Sequence, residues 1–160
     1  MIKVDLKTLL KFLTDLNFDA KLQEDTKQIY VILKVSGREF PLFLRIFESS
    51  DLLQLLAFMP CQIKHGTHAD LARLLHLINK ELDIPGFGMD ESAEVAFYRC
   101  MLPTPGKQID KRLLETYVKS IELICESIAP PVIAVASGLA TFSEILQKAR
   151  ESGGESQVKP

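Results

Sequence analysis

The 160-residue chain has no tryptophan and only three cysteines, Cys61, Cys100 and Cys125. An odd, widely spaced set without a CxxC pair excludes a disulfide framework. It fits a reducing compartment, where a free cysteine behaves as a small buried hydrophobe. Charge of one sign is not in excess: 19 Lys+Arg stand against 21 Asp+Glu, for a net charge of −2. The pI near 5.9 is far from the value above about 9 that marks a dedicated nucleic-acid binder. Long hydrophobic runs are missing as well. The most apolar stretch, Ala129 to Phe142, is 14 residues, where a membrane span needs about 20. Met1-Ile2-Lys3-Val4-Asp5 meets charge before an apolar segment forms, so no secretory signal is expected. A cytoplasmic protein without membrane insertion or nucleic-acid partner follows from these absences.

What is present is average: 47% apolar and 25% charged residues. A chain of this length buries roughly 70% of its unfolded surface, enough for one core. A single domain over residues 1–150 is expected, followed by a mobile C-terminal tail, 151–160 (ESGGESQVKP). Leu6, Leu9, Leu10, Leu13 and Leu16 recur at helical period over residues 5–16. Ile29, Val31, Leu33 and Val35 then alternate, Ser36-Gly37 supplies a turn, and Phe40, Leu42, Leu44 and Ile46 resume the alternation. Glu48-Ser49-Ser50-Asp51 reads as a second turn before a strand at 52–59 that Pro60 stops, and a weaker strand lies near Phe18–Gln23.

Thr67 and Asp70 have the spacing of a variant capping box for a helix carrying Leu71, Leu74, Leu75, Ile78 and Leu82. Phe87–Asp90 and Val95–Leu102 form a second hairpin. Asp110 caps a third helix. Pro131 opens a fourth that runs to about Arg150 across Gly138. The order is α-β-β-β-(β)-α-β-β-α-α. Strands joined by short polar turns, with helices set apart from them, make an α+β fold: an antiparallel meander with helices packed on it.

Chemistry is sparse. Cys61, His65 and His68 fall within eight residues and are the candidates for a small enzyme or a zinc site, but only His65 and His68 have ligand-pair spacing and no second pair exists. Ala136-Ser137-Gly138 lacks the nucleophile-elbow frame, and Gly106-Lys107 is no phosphate loop. Asp90, Glu91 and Glu94 cluster in a hairpin turn, which a solvated turn explains. No catalytic residue, cofactor or metal is expected.

Two strands are less ordinary. Strand 39–47 carries Phe43 and Phe47 on the face opposite Phe40, Leu42 and Leu44, and strand 52–59 carries Leu56 and Phe58 opposite Leu53 and Leu55. One layer of helices needs only one apolar face. Either helices cover both faces, or a partner covers the second. Phe43, Arg45, Phe47, Leu56 and Phe58 are the candidate partner-binding residues, and Pro41 marks an edge or bulge.

Leu77-Ile78-Asn79-Lys80-Glu81-Leu82, then Ile84-Pro85-Gly86-Phe87-Gly88-Met89-Asp90, then Val95-Ala96-Phe97-Tyr98-Arg99 resemble the YbjN-type family, as does the proline-initiated helix ending near Ala136-Ser137-Gly138. The resemblance implies the α+β fold shared with type III secretion chaperones. It implies a non-enzymatic homodimer that holds a segment of another protein, such as a secreted effector, on apolar sheet surface or edge. The alternative is a regulatory or adaptor domain that contacts a folded partner. There Arg45 and Arg99 would matter more than the phenylalanines.

Overall fold

The computed structural model describes residues 1–155 except Glu48 and Ser50, so those two and residues 156–160 lie outside the description. Chain order is β1 (Ile2–Lys3), α1 (Leu6–Asp15), β2 (Lys21–Gln23), β3 (Gln28–Val35), β4 (Arg38–Phe47), β5 (Leu52–Gln62) and α2 (His68–Glu81). There follow β6 (Phe87–Asp90), β7 (Val95–Pro103), a 3-10 turn at Pro105–Lys107, β8 (Gln108–Ile109), α3 (Lys111–Ser127), α4 (Ala129–Ala136) and α5 (Phe142–Glu155). The sheet order is β2-β3-β4-β5-β7-β6, and every neighbouring pair is antiparallel. This is the expected α+β meander.

Local chemistry explains the joints. Ser36 and Gly37 link β3 to β4 with φ of 50° and 76°, the doubly positive pair of a type I′ turn whose twist matches the strands. Asp5 and Asp110 cap α1 and α3 by accepting from the backbone N–H of Thr8 (2.8 Å) and Leu113 (2.9 Å). In the β6–β7 turn the Asp90 carboxylate accepts from Ser92 and Ala93 N–H, so its role there is structural.

The core lies on one face of the sheet. Leu33, Phe40, Leu42, Leu44, Leu53, Leu55, Ala57 and Tyr98 are buried there against Leu9 and Leu13 of α1, Leu71 of α2, Leu114 and Val118 of α3 and Val132 of α4. Their apolar burial is the main stabilising term.

Several expectations are corrected. The fourth helix is two. Gly138, at φ 73°, closes α4: its N–H donates to Val135 O (3.1 Å) and the Leu139 N–H donates to Ala134 O (2.8 Å), a Schellman end. A new capping box then starts α5, in which Thr141 Oγ1 accepts from Glu144 N–H (3.2 Å) and Glu144 Oε2 accepts from Thr141 N–H (2.7 Å). That helix continues to Glu155, so residues 151–155 are helical, and residues 156–160 of the expected tail lie outside the described residues. Thr67 and Asp70 form no capping box. Thr67 Oγ1 donates to Lys64 O and Ala136 O, and Asp70 accepts from Phe142 N–H (3.0 Å), capping α5 from another helix.

Pro60 does not stop β5, which runs on to Gln62 through an irregularity between Phe58 and Gln62. β4 is an interior strand, yet its ladder with β5 begins at Leu42, one residue after Pro41, so the proline sits where the β5 side is already open. The β1–β8 ribbon, Ile2 opposite Ile109, was not expected from local patterning.

Candidate functional site

The reactive side chains do not converge. His65 is exposed, Cys61 half-buried, and His68 Nε2 lies 3.4 Å from Glu94 Oε2. Among the described residues no group of three or more His, Cys, Asp or Glu is placed to hold a metal ion. The three cysteines are unpaired. Burial pushes the Cys61 and Cys100 thiols up and takes Cys125 to about 12, so all three stay protonated at neutral pH and are weak nucleophiles.

The second face of the sheet is different. Here the five residues singled out from the sequence, Phe43, Arg45, Phe47, Leu56 and Phe58, do come together. Strand pairing sets them in rows. Tyr30, Phe43, Leu56 and Arg99 lie side by side across β3, β4, β5 and β7; Arg45, Gln54 and Met101 form the next row, and Phe58 faces Phe97. None of these residues is buried; Ile32 and Met101 on the same face are 38% and 40% exposed. No described helix covers them, because the buried strand positions all alternate to the other side.

The side chains shield one another instead. The Tyr30 and Phe43 rings are 6.0 Å apart, and Phe43 meets Phe58 edge-on at 5.8 Å. The Arg45 guanidinium sits 4.6 Å from the Phe47 ring centre and that of Arg99 5.7 Å from Phe97. Sequence reading missed Tyr30, Ile32, Phe97 and Met101 as members. The alternation of Phe97, Arg99 and Met101 against Ala96, Tyr98, Cys100 and Leu102 was the available signal.

Beside this face β7 becomes an edge. β6 pairs with β7 only from Val95 to Tyr98. Above that, a cavity of about 530 Å³ lies along Arg99, Met101, Asn79, Pro85 and Tyr117. Its rim is a clasp. Asn79 Nδ2 donates to Phe87 O (2.9 Å), and its Oδ1 accepts from Gly86 N–H (3.1 Å) and Phe87 N–H (2.9 Å). Arg99 N–H donates to Gly86 O (2.9 Å), and a Cβ at Gly86 would run into the Arg99 carbonyl oxygen. Tyr98 donates its hydroxyl to Ile84 O (2.9 Å).

Of the residues that carried the family resemblance, Asn79, Ile84, Gly86, Phe87, Tyr98 and Arg99 are therefore fastenings of the α2–β6–β7 joint. Comparison with known proteins agrees with that resemblance: residues 5–134 match YbjN, the family described as "Putative bacterial sensory transduction regulator". The chain belongs to the YbjN family. Its fold is similar to the crystal structure of YbjN from E. coli, described as a putative transcription regulator, with a TM-score of 0.60 and 14% sequence identity. The alignment covers 84% of this chain and 92% of that one. No curated protein matches the sequence. Neither the family description nor that of the E. coli protein speaks of a chaperone or of secretion.

Proposed function

We propose that this YbjN-family protein is a non-enzymatic regulatory or adaptor module that contacts another protein through the open face of its sheet. One observation carries the reading: a helix-free sheet surface on which Phe43, Phe47, Leu56, Phe58 and Phe97 lie half-exposed between two exposed arginines. Contiguous apolar surface of this kind marks interaction sites, and the protonated thiols leave little nucleophilic chemistry to set against it. The regulator description of the family supports the adaptor reading over the secretion-chaperone one. The three unpaired cysteines support a cytoplasmic setting. Among the described residues no helix is long and apolar enough to cross a membrane.

The test is a comparison of captured proteins between the wild-type chain and a Phe43→Ser/Phe58→Ser variant with an unchanged far-UV spectrum. Loss of a specific partner from the variant is the expected result. An identical set from both would remove the reading.

A further inference from the structure

Resting on that docking reading, we propose that the segment the open face receives is an acidic amphipathic helix of the partner protein. The first reason is backbone chemistry. β4 and β5, which supply the centre of the face, are each paired on both sides. At the centre, over Leu42–Leu44 and Leu52–Ala57, each strand lies between two ladders, so no backbone group there is left for an added strand and contact is through side chains. A segment lying there must satisfy its own backbone, as a helix does.

The second reason is charge. Arg45 and Arg99 are exposed among Phe43, Phe47, Leu56, Phe58 and Phe97, and among the described residues neither forms an ion pair with a carboxylate. Lys34 and Glu39, opposite each other in the β3–β4 register, balance one another at the rim. Each guanidinium lies over a phenylalanine ring, which holds it at the apolar surface with N–H groups left to donate to a carboxylate. Arg45 and Arg99 stand two strands and one row apart, about 12 Å between Cα atoms. Glutamates seven or eight positions apart along a helix span about 10.5–12 Å. The apolar stripe between them would rest on Phe43, Leu56, Phe58 and Met101.

The same arginines weigh against the other occupants. Two copies packed face to face would confine four guanidinium groups, with the carboxylates of Glu39 and Asp90 only at the margins of the face, and a charge desolvated without a partner is costly. A single-stranded nucleic acid needs free ring faces for its bases, whereas Phe47 and Phe97 are covered by guanidinium groups and Phe43 meets Phe58 edge-on.

The experiment titrates the full chain with a four-turn leucine-striped peptide bearing flanking glutamates seven residues apart, and with its glutamine and lysine versions. Fluorescence anisotropy gives affinity, and methyl shifts of Ile32, Leu56 and Met101 give location. The glutamate peptide is expected to bind about tenfold tighter than the glutamine one, the sum of two modest, partly exposed ion pairs, and the lysine peptide weakest. An Arg45→Gln/Arg99→Gln variant, altered only at exposed positions, should abolish that ratio. Equal affinity of glutamate and glutamine peptides at this face would overturn the acidic helix and leave the docking reading standing. If no peptide shifts these methyls, both fall. Displacement of the glutamate peptide by a 12-nucleotide RNA, or a dimer in light scattering that loses its partner on Arg45→Glu, would also overturn the proposal.

Discussion

The two faces of one sheet are built from alternate residues of the same strands, yet they differ in every physical respect. Leu55 is wholly buried under the helices, and Leu56, the next residue, lies half-exposed among aromatic rings. The covered face is dense and aliphatic. The open one mixes phenylalanines with guanidinium groups that cover them. Apolar character alone therefore does not say whether a surface belongs to the core. What decides is whether the chain has helix left to lay over it, and this chain puts its described helices on one side.

The widest gap between the faces should appear in stability. Leu55→Ala leaves a cavity in packed surroundings and is expected to cost about 2–5 kcal/mol. Leu56→Ala, which removes only half-buried surface, should cost about 1 kcal/mol. Urea midpoints compared at constant m-value read the difference. Equal losses would mean that the second face is covered in solution.

Next in size is the clasp between the faces. Asn79→Ala strips partners from Gly86 N–H, Phe87 N–H and Phe87 O, with an expected loss of about 2–3 kcal/mol for half-buried groups left unsatisfied. If hydrogen exchange at Phe87 in that variant is as slow as in the wild type, Asn79 does not hold the joint.

Smaller still are the charges. Arg45→Gln, on the open face, should move stability by less than about 0.5 kcal/mol while changing partner affinity. A large thermal shift would make Arg45 part of the scaffold and erase the contrast.

The helix caps give the pH dependence. The hydrogen bond from Thr8 N–H holds the Asp5 carboxyl below its usual value. A folded-state value below the unfolded one contributes stability above pH 3.8, lost as pH falls through and below that value. Asp5→Asn keeps an acceptor for the cap and should flatten this part of the acid limb. An unchanged acid profile would place the sensitivity elsewhere.

The sequence made the periodic parts of this molecule legible. Leucine spacing gave the helices, and alternation gave the hairpins and both apolar faces of β4 and β5. What escaped depends on partners distant in the chain. Asp70 caps a helix that begins 72 residues later, and the β1–β8 ladder joins residues over 100 apart with only two pairs. Gly138 was read as helix interior because apolar residues continue on both sides of it, although the Thr141–Glu144 spacing announces a new start. At the candidate site, alternation placed Phe43, Arg45, Phe47, Leu56 and Phe58 on one face. Tyr30 joins them through the pairing of β3 with β4, and Phe97 and Met101 only because β7 pairs with β5 and β6 lies outside it.

The most direct measurement is the relaxation of methyl signals by a soluble paramagnetic agent in the free protein. Leu56, Ile32 and Met101 methyls should broaden strongly while those of Leu55, Leu53 and Leu44 stay sharp. A Leu56 methyl as protected as that of Leu55 would contradict an open face and with it a docking surface.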